Sequence, residues 1–188
     1  MSYDFYSYRP RTDQPNTQEA EKIISSEEDA EFRDDAEARE FKERIASAFL
    51  SFETQLTQFE FDYTEIARSM NASEEEAKRR WNHVELNPPE NGLAIQIQIN
   101  WEYVSYTIRY WYTGDKAAEV FLKLRDYLKL AREEAGFFAF DPQQGRAFDP
   151  NIEGMTPNTS EYTRISENLP LIVSQGLPDN KKPWWKFW

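Results

Sequence analysis

The sequence predicts an α+β fold, and three adjoining segments between residues 93 and 142 carry that expectation. The first, LAIQIQINWEYVSYTIRYWY, alternates apolar and polar residues on either side of a short break. Alternation of period two marks an antiparallel hairpin with one buried face. The second, TGDKAAEVFLKLRDYLKLAREEAG, repeats its apolar residues at helical spacing. The third, FFAFDP, is a short apolar strand stopped by a turn.

From the N-terminus, Ser2 to Tyr8 alternates and is rich in aromatics, so it predicts a strand. Tyr3 and Phe5 fall on one face, and Asp4, Tyr6 and Tyr8 on the other. Thr17 to Glu28 is polar around Ile23 and Ile24 and reads as a short helix or a loop. Residues 29 to 53 predict a long helix whose inward stripe is Phe41, Ile45, Ala48, Phe49 and Phe52. The carboxylates Asp34, Asp35, Glu37 and Glu40 near its start suit the helix dipole and a solvated face. Residues 62 to 81 predict two short helices around Asn71-Ala72, the second started by a Ser73/Glu76 capping box. Ile66, Met70, Ala77 and Trp81 are their expected inward residues.

Asn87 to Gly92 is a break rich in turn residues. In the hairpin, Leu93, Ile95, Ile97 and Ile99 share a face, as do Val104, Tyr106, Ile108 and Tyr110. Ala117, Val120, Phe121, Leu124, Leu128 and Ala131 form the stripe of the following helix, and Gly136 stops it. Phe137 to Phe140 is the last main strand, with Gly145 to Phe148 as a short edge strand. Beyond Pro150 the chain loses periodicity and gains Pro157, Pro170, Pro178 and Pro183. One helical turn near Tyr162 to Leu169 and the Trp-rich end KKPWWKFW are its only features.

The order strand, helix, insertion, hairpin, helix, strand is that of a ferredoxin-like βαββαβ sandwich. The expected organisation is a sandwich domain over 1–150, with a helical insertion near 60–82, and an irregular tail over 151–188. The tail reads as separable, so a chain ending at Pro150 is expected to fold. Its Trp-rich end has three readings: packing back on the domain, docking a partner, or touching a membrane interface.

The pieces SYDFY (2–6), HVELN (83–87), IQIQI (95–99), RYWYTGDKAAEVF (109–121) and EEAGFFAFDPQQGRAF (133–148) form a set. On them the chain resembles a family of small bacterial proteins that open with a Ser-Tyr-Asp strand and carry a Phe-Asp-Pro-Gln segment. The resemblance implies a common fold over residues 2 to 148 and a bacterial origin. The family has no established activity, so no role for any residue follows from it.

Composition narrows the function classes. With 34 acidic against 22 basic side chains, the net charge is -12. That disfavours nucleic acid, whose binding rests mainly on cations neutralising phosphates, and an anionic membrane surface. It favours a basic partner. Without cysteine there is no disulfide, thiolate chemistry or cysteine metal site. No leader or membrane-spanning run is visible, and the default expectation is the cytoplasm.

Three residues could carry chemistry. His83 is the only histidine, and in an extended His83-Val84-Glu85 it shares a face with Glu85. Asp4 and Asp141 belong to strands that neighbour one another in the expected sheet, where two carboxylates could work as acid and base. The plainer readings are preferred: His83 at the surface, Asp141 capping the turn at Pro142, and Asp4 paired with Arg109 or Arg146. No glycine loop fits a phosphate, and no metal or cofactor is expected. The helix-turn-helix look of 62–81 is countered by Glu74, Glu75 and Glu76, which stand where DNA contacts are made.

The sequence therefore predicts a non-catalytic bacterial protein that binds a basic protein partner, for example an immunity or inhibitor protein. Trp101, Tyr103, Trp111 and Tyr112 are its expected aromatic anchors. Glu74, Glu75 and Glu76 are its steering charges. The alternatives are a hydrolase or small-ligand enzyme using Asp4, Asp141 and His83, and a DNA-binding regulator.

Overall fold

A computed structural model describes residues 2–25, 33–90, 92–109, 112–152 and 162. Its elements run β1 (Ser2–Tyr8), α1 (Thr17–Ser25), α2 (Ala36–Phe52), β2 (Thr57–Gln58), α3 (Tyr63–Met70) and α4 (Glu74–Arg80). They continue with β3 (Val84–Asn87), β4 (Ile95–Ile99), β5 (Tyr103–Arg109), α5 (Asp115–Ala135), β6 (Phe138–Asp141) and β7 (Arg146–Phe148). The fold is α+β. One antiparallel sheet of seven strands has the order β2-β3-β4-β5-β1-β6-β7.

Alternation sets the two faces of this sheet. In β1, Tyr3 and Phe5 point inward and meet Ile108 and Tyr106 of β5 in register. In turn Ile95, Ile97 and Ile99 of β4 oppose Ile108, Tyr106 and Val104. Helices α2 and α5 both pack on this face and share one core with it. The α5 stripe is buried as the spacing predicts, with Tyr127 added. Gly136 stops α5 at φ 72°, a left-handed conformation that a residue without Cβ adopts without strain.

The α2 stripe differs from expectation. Ala38, Phe41, Lys42, Ile45, Ala46 and Phe49 are buried, whereas Ala48 is half-buried and Phe52 is 53% exposed. The helix is rolled toward its 38/42/46 row, which carries Lys42 inside. Asp35 caps α2 by accepting from the Ala38 N–H at 2.9 Å. In the insertion, Ala67 and Ala77 are buried while Ile66, Met70 and Trp81 are half-buried. Asn71, at φ 54°, turns α3 into α4. Ser73 caps α4 through the Glu76 N–H at 3.1 Å, as the capping box predicts.

Three features go beyond the expected four-strand core and its β7 edge. Val84–Asn87 pairs with β4, and Thr57–Gln58 pairs with it in turn. The opposite face carries a second, smaller core of Tyr8, Ala20, Tyr103, Phe138 and Phe140, closed by Ile23 and Ile24 of α1. The third departure lies past the expected boundary at residue 150. Tyr162 is fully buried, its ring 5.2 Å from Phe121 and 6.0 Å from Tyr3. Its hydroxyl donates to the Arg109 carbonyl at 2.6 Å and accepts from the Tyr112 N–H at 3.2 Å. The tail is therefore tied into the core at this residue. The rest of the tail beyond Ile152, with its Trp-rich end, lies outside the described residues.

Candidate functional site

The three residues that could carry chemistry do not converge. Asp141 faces the helices: the Tyr3 hydroxyl donates to it at 3.2 Å, and the Gln143 and Gln144 N–H groups donate at 2.9 and 3.3 Å. It therefore caps the β6–β7 turn. Burial pushes its carboxyl above the ordinary range, against those hydrogen bonds. Asp4 lies two residues before Tyr6, which pairs with Phe140, so alternation puts Asp4 and Asp141 on opposite faces. Asp4 accepts from the Ser2 hydroxyl at 3.2 Å, and its Oδ1 has no hydrogen-bond partner among the described residues. Burial raises its carboxyl too, and the side chains that oppose this are those of Thr107 and Ser2. His83 precedes β3, three strands away from β1 and roughly 14 Å across the sheet.

The expected aromatic anchors are taken up by the fold. Trp101 is 8% exposed because the Arg9 guanidinium stacks on its ring at 3.9 Å and Arg33 at 4.2 Å. Arg9 also donates to the Trp101 carbonyl at 3.0 Å and lies 4.0 Å from Glu102. Tyr103 is buried in the smaller core, its ring 5.9 Å from Tyr6. The Tyr112 hydroxyl accepts from the Ala94 N–H at the start of β4. These three are corrected from exposed anchors to packing residues, and Trp111 lies outside the described residues. The reason is geometric: strand alternation turns half of a crowded aromatic hairpin inward, and α1 covers part of the other half. Glu74 and Glu75 are exposed as expected, whereas Glu76 is half-buried and pairs with Arg80 at 2.7 Å.

A different site emerges around His83. A cavity of about 450 Å³ lies between the first turns of α2, the Gln58–Tyr63 segment and the Asn82–Val84 segment. Lys42 is part of its lining and is 2% exposed. Its ammonium donates to the Asn82 carbonyl at 2.5 Å and to Asn82 Oδ1 at 3.1 Å. Burial lowers its pKa, with Asp34 opposing and Arg39 assisting. His83 meets the edge of Phe61 at 4.9 Å. Burial, assisted by the Lys42 charge, takes its pKa down to about 4, so the imidazole is neutral at pH 7. Arg39 pairs with Asp34 at 3.3 Å, and Lys78 sits 5.8 Å over the Tyr63 ring. The sequence holds one sign of this site: Lys42 interrupts an apolar row between Ala38 and Ala46.

The depressed His83 pKa makes stability depend on pH. The unfolded chain takes up the proton near pH 6.5, the folded one only near 4. Neutral His83 therefore supports the fold fully above pH 6.5, and that support is lost as pH falls toward 4. At most it is worth roughly 3 kcal/mol, because a tenfold change in proton affinity corresponds to about 1.4 kcal/mol. In urea titrations between pH 7 and 4.5, the wild type should lose stability relative to His83→Gln. Parallel curves would contradict it. Asp4 and Asp141, with raised values, act in the opposite sense in both proteins, so the difference isolates His83.

Among the described residues, no three His, Asp or Glu side chains are grouped to hold a metal ion. No described helix is long and apolar enough to cross a membrane. No protein-family model, curated protein or solved structure matches this chain.

Proposed function

We propose that this is a non-catalytic binding protein of the bacterial cytoplasm that takes a basic protein surface, as an immunity or inhibitor protein does. The observation that carries the reading is where the acidic excess lies. Glu40, Glu43, Glu60, Glu65, Glu74 and Glu75 are exposed and form no ion pair with any described residue. They belong to α2, α3, α4 and the segment before α3, and Glu43 and Glu60 line the cavity. Exposed carboxylates outside ion pairs add to the field of a chain with net charge -12 and speed encounter with a cationic partner. The separation of His83 from Asp4 and Asp141 weighs against the hydrolase reading. The carboxylates of the first turn of α4 weigh against DNA.

With Trp101, Tyr103 and Tyr112 buried, the apolar contact passes to Phe59, which is 47% exposed beside Glu60. We also infer that β1, α2, β4, β5, α5 and β6 form a ferredoxin-like unit. The order β4-β5-β1-β6 and the shared face of α2 and α5 support it. Such a frame hosts many roles, so the surface carries the argument.

The test is affinity capture from the native host, followed by kinetics with the recovered partner. The partner should be basic, and association should slow several-fold between low salt and 0.15 M, where the screening length is about 8 Å. Neutralising Glu74 and Glu75 as Gln should lower the on-rate, and Phe59→Ala should raise the off-rate. A neutral partner whose association ignores salt would overturn the proposal.

A further inference from the structure

The cavity beside His83 holds an unanswered charge. An ammonium donates three hydrogen bonds, and Lys42 makes two, both to neutral oxygens of Asn82. Among the described residues no carboxylate lies within ion-pair distance of it, although it is 2% exposed. Buried charges are ordinarily paired, because an isolated one is costly to remove from water. His83 lines the same cavity, is neutral, and makes no hydrogen bond with any described residue. Its ring N–H is a second unused donor. Of the other cations of the lining, Arg39 pairs with Asp34, while Lys78 is exposed to solvent with its ammonium 5.8 Å from the Tyr63 ring.

The remaining lining selects the occupant. Phe59, Phe61, Tyr63 and Val84 give an otherwise polar cavity one apolar, largely aromatic part. Its volume of about 450 Å³ lies within the range of small-molecule sites. Asp34, Glu43 and Glu60 line it against Arg39, Lys42 and Lys78, so the lining carries no cationic excess to hold a dianion such as phosphate. A monoanion with a flat apolar body fits all of these features.

We propose that this cavity is a binding site for a small aromatic carboxylate, its carboxylate held by Lys42 Nζ and the His83 N–H and its ring seated among Phe59, Phe61 and Tyr63. The site shares Phe59 with the surface proposed for the basic partner, whereas Lys42 and His83 belong to it alone. It explains a lysine in the buried row of α2 and a histidine kept neutral beside it.

The experiment uses the full chain and three probes: benzoate, acetate and inorganic phosphate. Binding is followed by NMR at the Lys42 and His83 side chains. Benzoate should bind saturably with one molecule per chain, at least about tenfold more tightly than acetate or phosphate. An anion against His83 favours its protonated form. Saturating benzoate should therefore raise the His83 pKa measurably from about 4. Lys42→Met should weaken benzoate at least about tenfold, and His83→Gln by less. If Lys42→Met does not fold, the His83 titration in the wild-type chain decides alone. Absence of saturable benzoate binding, an unmoved His83 titration, or acetate or phosphate binding as tightly as benzoate would overturn the proposal.

Discussion

Tyr162→Ala should cost about 3–5 kcal/mol of folding stability, the range for deleting a fully buried ring. The ring is enclosed by Tyr3 and Phe121, and truncation leaves a cavity between β1 and α5 that neither can refill. The hydroxyl adds to this. Its loss leaves the Arg109 carbonyl and the Tyr112 N–H without the partner that ties the end of β5 to the start of the next segment. Tyr162→Phe keeps the ring and removes the hydroxyl with its bonds, so it should cost about 1–2 kcal/mol. Ending the chain at Pro150 removes the whole residue and should lose at least as much as the alanine variant. The core thus takes in one described residue, Tyr162, past the boundary that composition suggests. Chemical denaturation of the three proteins measures the ladder. An alanine variant within about 0.5 kcal/mol of wild type would place Tyr162 outside the core.

Leu124→Ala should cost about 2–5 kcal/mol, while Leu122→Ala, on the same helix, should stay within about 0.5 kcal/mol. Leu124 is fully buried in the α5 stripe, whereas Leu122 is 52% exposed. The two changes delete the same atoms from the same helix and alter its propensity equally. Their difference therefore reads burial alone. Equal losses would mean that the stripe of α5 is misassigned.

That pair also shows what is legible in the sequence. Over Ala117 to Ala131 the apolar residues recur at 3.6-residue spacing, so spacing alone picks out the buried face. The hairpin is legible for the same reason at period two. In α2 the reading fails by a rotation. Phe52 has the right spacing but lies at the helix end, where its ring is 6.1 Å from that of Tyr127 and stays 53% exposed. Lys42 has the wrong chemistry for the row it occupies, because its partner Asn82 is 40 residues away. Tyr162 sits in a segment without period, so nothing local marks it as core. The aromatic anchors are misread because enrichment does not state which face a ring takes. Periodic contacts within an element are written locally; single long-range contacts are not.

The sheet has one more consequence, for self-association. Its seven-residue strands, β1 and β5, are interior, whereas the outermost strands, β2 and β7, have two and three residues. A free strand edge is a template on which a foreign chain can add hydrogen bonds, and its length limits how many. Among the described residues each outermost strand offers only a two- or three-residue ladder, too short to hold an incoming strand in register. Runaway fibre growth from the native state is blocked at both rims. It would require unzipping β2 and β3 first, which exposes the isoleucine-rich β4.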